Sequence, residues 1–293
     1  MQKNIEWIIC DLDGTLLRYE NYSHVIDKKA IEVIHNLGNK NIEFSIATGR
    51  HYKDALKICI ENDLVKEHTK YIIGCNGGII FDTLANKIIF KKIMNKNQLI
   101  KSFSVLNYLL NKGIEVLLAG YKLNRNVVFN PEIKTKRNLV NEFLNYEGNF
   151  SEFKFDISND FVSETNILKT IFFFDIDFLN KNQITIENIY QELKEMFNFS
   201  KGELCITSKQ SIECNPDEIS KGNAIKMLSK KLDIDLNHTL SIGDSGNDIS
   251  MFEVTKYSST LESSIDSVKQ KATKVFPTIA SKIVIDTINF FVK

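Results

Sequence analysis

Glu6-Trp7-Ile8-Ile9-Cys10-Asp11-Leu12-Asp13-Gly14-Thr15 is the stretch that decides the fold. Its first half is a short apolar run and reads as a buried strand. The run breaks into two carboxylates, a glycine and a hydroxyl. A helix pattern follows from about Asp27, with Ala30, Ile31, Ile34 and Leu37 on one face and Gly38 as a stop.

The same unit recurs downstream. A strand over 42–47 ends in Thr48-Gly49-Arg50, and a helix is predicted over 52–61. A third strand, 71–74, ends in Cys75-Asn76-Gly77-Gly78. Strands alternating with helices predict a parallel sheet with right-handed crossovers. The rhythm then changes. Segments 79–81 and 88–90 flank a polar turn and read as a hairpin. Beyond them, helices over 96–111 and 184–196 mix with strands over 114–118 and 169–175, which suggests a separate α/β insert. The opening rhythm resumes near Ser211. Ser220 is placed to cap a helix over 221–232, and a strand over 239–242 ends in Gly243-Asp244-Ser245-Gly246-Asn247-Asp248. Helical stretches near 263–272 and 278–291 finish the chain. The expected fold class is therefore α/β: a three-layer α/β/α Rossmann-like core with a parallel sheet, plus an inserted α/β domain. The expected boundaries are core 1–83, insert 84–207 and core again 208–293.

Composition narrows the function. The chain has 293 residues, enough for about two domains. Apolar residues make up 43% and charged residues 25%, so a fibrous or wholly disordered chain is excluded. Thirty-seven basic and 37 acidic residues cancel, which removes the footprint of a general nucleic-acid binder. The five cysteines are odd in number and form no CxxC pair, so neither a disulfide framework nor a zinc cluster is expected. No apolar run is long enough to span a bilayer and no secretory leader is evident, so a cytoplasmic protein is expected.

Asp11/Asp13, Thr48, Asn76 and Asp244/Asp248 each follow a short apolar strand. Ligands of an open parallel sheet bind outside the carboxyl ends of its strands, so four distant clusters can share one edge. Residues i and i+2 of an extended chain face the same side, so Asp11 and Asp13 can face one pocket. Their repulsion would raise one pKa unless a cation sits between them. An all-oxygen carboxylate set suits Mg²⁺ better than zinc. Lys221 supplies a second cation for a phosphate dianion. Thr48 offers a hydroxyl donor near a helix start, where N–H groups favour anions. Positioning and charge neutralisation are what phosphate-ester hydrolysis demands.

Taken together, Asp11-Leu12-Asp13-Gly14-Thr15, Ala47-Thr48-Gly49-Arg50, Ser220-Lys221-Gly222 and Gly243-Asp244-Ser245-Gly246-Asn247-Asp248 resemble the four motifs of the haloacid-dehalogenase-like phosphatases. The insert is similar to the α/β cap of the Cof-like branch. The resemblance implies Asp11 as nucleophile and Asp13 as acid and base. It implies Mg²⁺ held by Asp11, Asp244 and the backbone carbonyl of Asp13, with Asp248 in first or second place. Thr48, Gly49, Lys221 and Asn247 would bind phosphate, and Arg50, Asn76 and Gly77 would line the substrate cleft. Substrate would bind between core and cap. One departure is Ser263, where relatives carry Asn. The implied function is a Mg²⁺-dependent phosphatase of small phosphorylated metabolites, sugar phosphates first. Neither nucleic acid nor membrane is an expected partner, and a monomer or weak homodimer is expected. The alternatives are a phosphomutase, a flavin or pyridoxal phosphate phosphatase, and a non-catalytic metabolite-binding protein.

Other readings of the same residues are weaker. A calcium loop of the EF-hand type needs Gly at its sixth position, whereas Gly14 stands at the fourth, counting Asp11 as the first, and the motif follows a strand. A serine-protease loop at Gly243-Asp244-Ser245-Gly246 needs a placed histidine, and His51 and His238 read as solvated surface residues. In the insert, Phe172, Phe173 and Phe174 read as core, and Tyr121 and Arg125 as candidate substrate contacts.

Overall fold

The computed structural model describes residues 4–20, 23–129, 137–146, 155–200 and 203–292. Strand β1 (Trp7–Cys10) leads into a two-stranded ribbon, β2 (Arg18–Glu20) and β3 (Ser23–Val25). Then come α1 (Lys28–Gly38), β4 (Glu43–Ala47), α2 (Tyr52–Glu61), β5 (Tyr71–Gly74), β6 (Ile79–Asp82) and β7 (Lys87–Lys91). The insert holds α3 (Lys96–Asn111), β8 (Val116–Lys122), β9 (Val127–Phe129), α4 (Arg137–Tyr146), β10 (Phe155–Ile157) and β11 (Ile167–Phe174). It continues with α5 (Ile176–Lys181), α6 (Ile186–Phe197), β12 (Leu204–Ser208) and β13 (Ser211–Cys214). The chain ends with α7 (Lys221–Leu232), β14 (Thr239–Ile242), α8 (Ile249–Phe252), β15 (Tyr257–Leu261), α9 (Asp266–Lys269), β16 (Lys274–Phe276) and α10 (Lys282–Phe291).

Two compact units result. One comprises Met1–Lys91 with Ser220–Lys293, the other Lys92–Ile219. The first unit carries a sheet in the order β16-β15-β14-β1-β4-β5-β6-β7. Its strands are parallel from β16 through β5, and β6 and β7 add an antiparallel edge. β1 is buried on both faces, which explains its unbroken apolar sequence. On one face Trp7, Ile9, Ala47 and Ile73 share a core with Ala224, Ile225 and Leu228 of α7 and Met251 and Phe252 of α8. Helix α1 packs with α10 and β4, and buries Ala30, Ile34 and Leu37. Its start is fixed by Asp27, whose carboxylate accepts the Lys29 N–H at 2.9 Å.

The second unit is a sheet in the order β10-β9-β8-β11-β13-β12, antiparallel except between β9 and β10. Leu99 and Leu106 of α3 and Leu193 of α6 pack with Phe172 and Phe174. Leu139 and Phe143 of α4 pack with Leu117, Phe129, Ile171 and Phe173. Tyr121 belongs to this second cluster, its ring edge-on to Phe143 at 6.4 Å between centroids, so it is a core residue.

Three expectations are corrected. The insert does not begin at 84 or end at 207. The β6–β7 hairpin extends the first sheet, and β13 pairs with β11 in the second. The stretch 263–272 forms only the single turn α9. Ser264 lies outside it, its hydroxyl bonded to that of Thr260 at 2.8 Å, and such local side-chain bonds compete with helix. Ser263 beside it is exposed. Helix α10 starts at Lys282, after Ser281 takes a left-handed φ of 69° and donates its N–H to the Thr15 carbonyl at 2.6 Å.

Candidate active site

The first-unit sheet places β14, β1, β4 and β5 side by side. Asp244, Asp11, Thr48 and Asn76 follow those four strands, so the clusters separated in sequence meet at one edge. The backbone ladder continues into them. Asp11 N–H donates to Ile242 O at 2.9 Å, Thr48 N–H to Ile73 O at 2.8 Å, and Asn76 N–H to Thr48 O at 3.0 Å.

Lys221 enters from the helical layer. Ser220 caps α7 by accepting the Asn223 N–H at 3.1 Å, which makes Lys221 the first helical residue. Two glycines allow the approach. A Cβ on Gly222 would lie 2.0 Å from the Ser250 carbonyl oxygen. One on Gly77, whose φ is 101°, would lie 2.4 Å from Ser220 O. The Lys221 ammonium is fully enclosed, 2.6 Å from Asp11 Oδ1 and 2.7 Å from Asp248 Oδ1. The other Asp248 oxygen accepts the N–H groups of Asp244 at 3.0 Å and Ser245 at 2.9 Å. Asp248 thus fixes both the lysine and the loop that carries Asp244.

Charge in this enclosure is unbalanced. Burial pushes the Asp11 carboxyl well above the usual range. Lys221 only partly offsets that, and Asp248 and Asp244 add to the rise. Burial and the Asp248 charge push Asp244 up to about 7, against the hydrogen bond from Thr15 Oγ1 at 2.5 Å. Burial alone would lower Lys221, but Asp11 and Asp248 outweigh it and hold the ammonium above its ordinary value. Oxygens of Asp11, Asp244 and Asp248 lie within 4.8 Å of one another. Three carboxylates face one ammonium, and the surplus fits a divalent hard cation. Since both Asp248 oxygens already accept hydrogen bonds, Asp11 and Asp244 are the side chains suited to hold it. Gly14, with φ 78°, leaves room for this, since a Cβ there would lie 2.5 Å from Asp244 Oδ2.

Asp13 stands apart from that cluster. Arg50 grips it in a fork, Nε to Oδ2 at 2.7 Å and Nη2 to Oδ1 at 2.5 Å. The expected substrate-cleft arginine therefore holds the expected acid, and the Asp13 side chain is no member of the acidic group. The Thr48 hydroxyl oxygen accepts the Arg50 N–H at 3.1 Å, and Gly49 forms the half-buried bend between them. Asn247 donates through Nδ2 to Asn76 Oδ1 at 3.1 Å, and so ties two strand ends together. Asn76 itself adopts a left-handed φ of 55°.

Sequence reasoning missed three features. Thr15 had no assigned role, although its hydroxyl directly follows the glycine of the first motif. Gly222 was read as part of a motif and not as a contact surface. His51 is not a solvated residue: it is buried, and its Nδ1 accepts the Lys53 N–H at 3.3 Å as the cap of α2. His238 is half-buried, 2.9 Å from Glu6.

Comparison with known proteins agrees with this geometry. The haloacid dehalogenase-like hydrolase family matches residues 8–288. A Mycoplasma pneumoniae protein is 29% identical, over 99% of this chain and 96% of its own. The 5-amino-6-(5-phospho-D-ribitylamino)uracil phosphatase of Bacillus subtilis is 30% identical, over 92% of this chain and 91% of its own. A solved sugar phosphatase of HAD subclass IIB superposes with a TM-score of 0.74 at 20% identity, covering 98% of each chain.

Proposed function

Because the chain belongs to the haloacid dehalogenase-like hydrolase family, we propose that it is a Mg²⁺-dependent phosphatase of small phosphorylated metabolites, sugar phosphates first. The observation that carries this is the buried Lys221 ammonium held between Asp11 and Asp248, beside a further enclosed carboxylate at Asp244. Asp11 attacks phosphorus, and the bond from phosphorus to the leaving oxygen breaks. Asp13 gives its proton to that oxygen. Asp13 then takes a proton from water as the water oxygen attacks the aspartyl-phosphate, releasing inorganic phosphate and free Asp11. For Asp13 to carry a proton, Arg50 must yield one of its two bonds to that carboxylate. Lys221 and the Thr48 hydroxyl neutralise and orient the phosphoryl oxygens, with Gly49 and Asn247 shaping the same edge. Asp11 and Asp244 would hold Mg²⁺, which when bound would supply positive charge against the phosphoryl group. A cytoplasmic setting and small-molecule partners belong to this proposal.

The relative from Bacillus subtilis carries a phosphoribityl group in its name, so a phosphorylated alditol chain belongs in the substrate panel. The test is hydrolysis of an aryl phosphate and of that panel, with and without Mg²⁺, by the native chain and by Asp11→Asn. Mg²⁺-dependent turnover that disappears in the variant is expected. No turnover of any substrate, with Mg²⁺ bound, would sink the proposal in favour of a phosphomutase or a binding protein.

A further inference from the structure

The first unit has a cavity of about 460 Å³ walled by Asp13, Leu17, Arg18, Glu20 and Ile279. That volume lies within the ~300–1,000 Å³ of small-molecule sites. We propose that it is the leaving-group subsite, and that Arg18 and Glu20 select a neutral, hydroxyl-rich leaving group. The inference rests on the phosphatase proposed above.

Position argues first. The group that protonates a leaving oxygen must come within ~2.6–3.2 Å of it. Asp13 has that role in the proposed reaction and stands in the wall of this cavity. The atoms attached to the leaving oxygen must therefore occupy space that the Asp13 carboxylate faces.

Charge argues next. Arg18 and Glu20 are two residues apart on β2, and so share a face of the ribbon. Their side chains meet at 2.9 Å and stay partly open to solvent, with 33% and 49% of each exposed. Asp13 is likewise matched by Arg50. The wall thus carries one whole ion pair and the already paired carboxylate of a second. A second anion or a cation on the leaving group would have to break one of them. A hydroxyl accepts from Arg18 and donates to Glu20 while both pairs persist. Leu17 and Ile279 add an apolar side suited to the C–H face of a sugar or alditol, and Ile279 is 58% exposed. An exposed isoleucine in a cavity wall is accounted for when a ligand covers it.

The experiment compares kcat/KM for an alditol or sugar phosphate with that for an aryl phosphate, in the native chain, Arg18→Met and Glu20→Gln. Thermal melting of each variant checks its folding. In Arg18→Met the ratio is expected to fall about tenfold or more, the size of one lost charged hydrogen bond, mainly through KM. Glu20→Gln leaves Arg18 uncompensated and should shift preference toward a phosphorylated hydroxy acid. A ratio unchanged in both folded variants, or a native preference for the hydroxy acid, would overturn the subsite while leaving the phosphatase standing. Absence of any native turnover would remove the phosphatase, and this subsite with it.

Discussion

Lys221 is the residue on which the site's electrostatics turn. Its ammonium sits between Asp11 and Asp248, with none of the three in contact with bulk water to any useful extent. Lys221→Met would leave two carboxylates buried without a counter-charge. Breaking a buried ion pair from one side costs about 3–5 kcal/mol. A loss of about 3 kcal/mol is expected for the metal-free variant near pH 8. The sign with pH follows from Asp11, whose carboxyl is raised in the folded state even with the lysine present. A raised carboxyl holds in the folded state a proton that the unfolded chain has released, so its stability contribution is lost as pH rises. The deficit of the variant should therefore be smaller at pH 5 than at pH 8, the direction in which a raised carboxyl gains its proton. Urea midpoints at the two pH values measure it, and an equal deficit at both would refute the charge account. None of this was legible from Lys221 alone, because a lysine on a helix is usually solvated. It became legible through the order of the strand-end clusters. The grip of Arg50 on Asp13 had no sequence signal, since it depends on the side-chain direction chosen after the Thr48–Gly49 bend.

At the level of elements, helix α7 must lie close enough to α8 for Lys221 to reach Asp248. Gly222 permits it. A glycine in a helix ordinarily costs about 0.8–1 kcal/mol relative to alanine, so Gly222→Ala should stabilise an isolated α7. Here the added Cβ would lie 2.0 Å from Ser250 O, a backbone atom that cannot swing aside. Overpacking costs about 1–3 kcal/mol and outweighs the propensity gain. We expect net destabilisation of about 1 kcal/mol and a drop in kcat, because the displaced helix start carries Lys221. Thermal melts and steady-state kinetics check this, and a variant more stable than native would contradict it. Elements were legible where punctuation was strong. Asp27 and Gly38 bracket α1, and Ser220 opens α7. They were misread where local side-chain bonds or tertiary contacts overrode periodicity, as at Ser264 before α9 and Ser281 before α10. Gly222 was read only as part of a motif, and its reason lies on another element.

For the whole molecule, the alternation of strands and helices gave the parallel sheet, but not where the insert joins it. The β6–β7 hairpin and β13 are both antiparallel additions of similar composition. Only pairing partners decide that one belongs to the first sheet and the other to the second. The unit built this way brings Asp11 and Asp244 together from positions more than 200 residues apart, so the proposed cation binding would be linked to folding of the first unit. A ligand that binds only the folded chain stabilises it by about 2.7 kcal/mol at a hundred times its Kd. The pH dependence of that gain is set by the raised carboxyl of Asp11 and by that of Asp244. The Asp244 carboxyl, ordinarily near 3.8, is pushed up to about 7 in the metal-free fold by burial and Asp248. Without metal, stability attributable to this group should therefore decline as pH rises from about 4 to about 7, where the folded state binds more protons than the unfolded one. Mg²⁺ needs the ionised form, so at pH 5.5 it must displace a proton and at pH 8 it need not. Saturating Mg²⁺ should raise Tm more at about pH 8 than at about pH 5.5, and Asp244→Asn should abolish most of the shift at both. Calorimetric melts with and without Mg²⁺ decide it. An equal Mg²⁺ shift at the two pH values would mean that neither Asp11 nor Asp244 is a group whose proton the cation displaces.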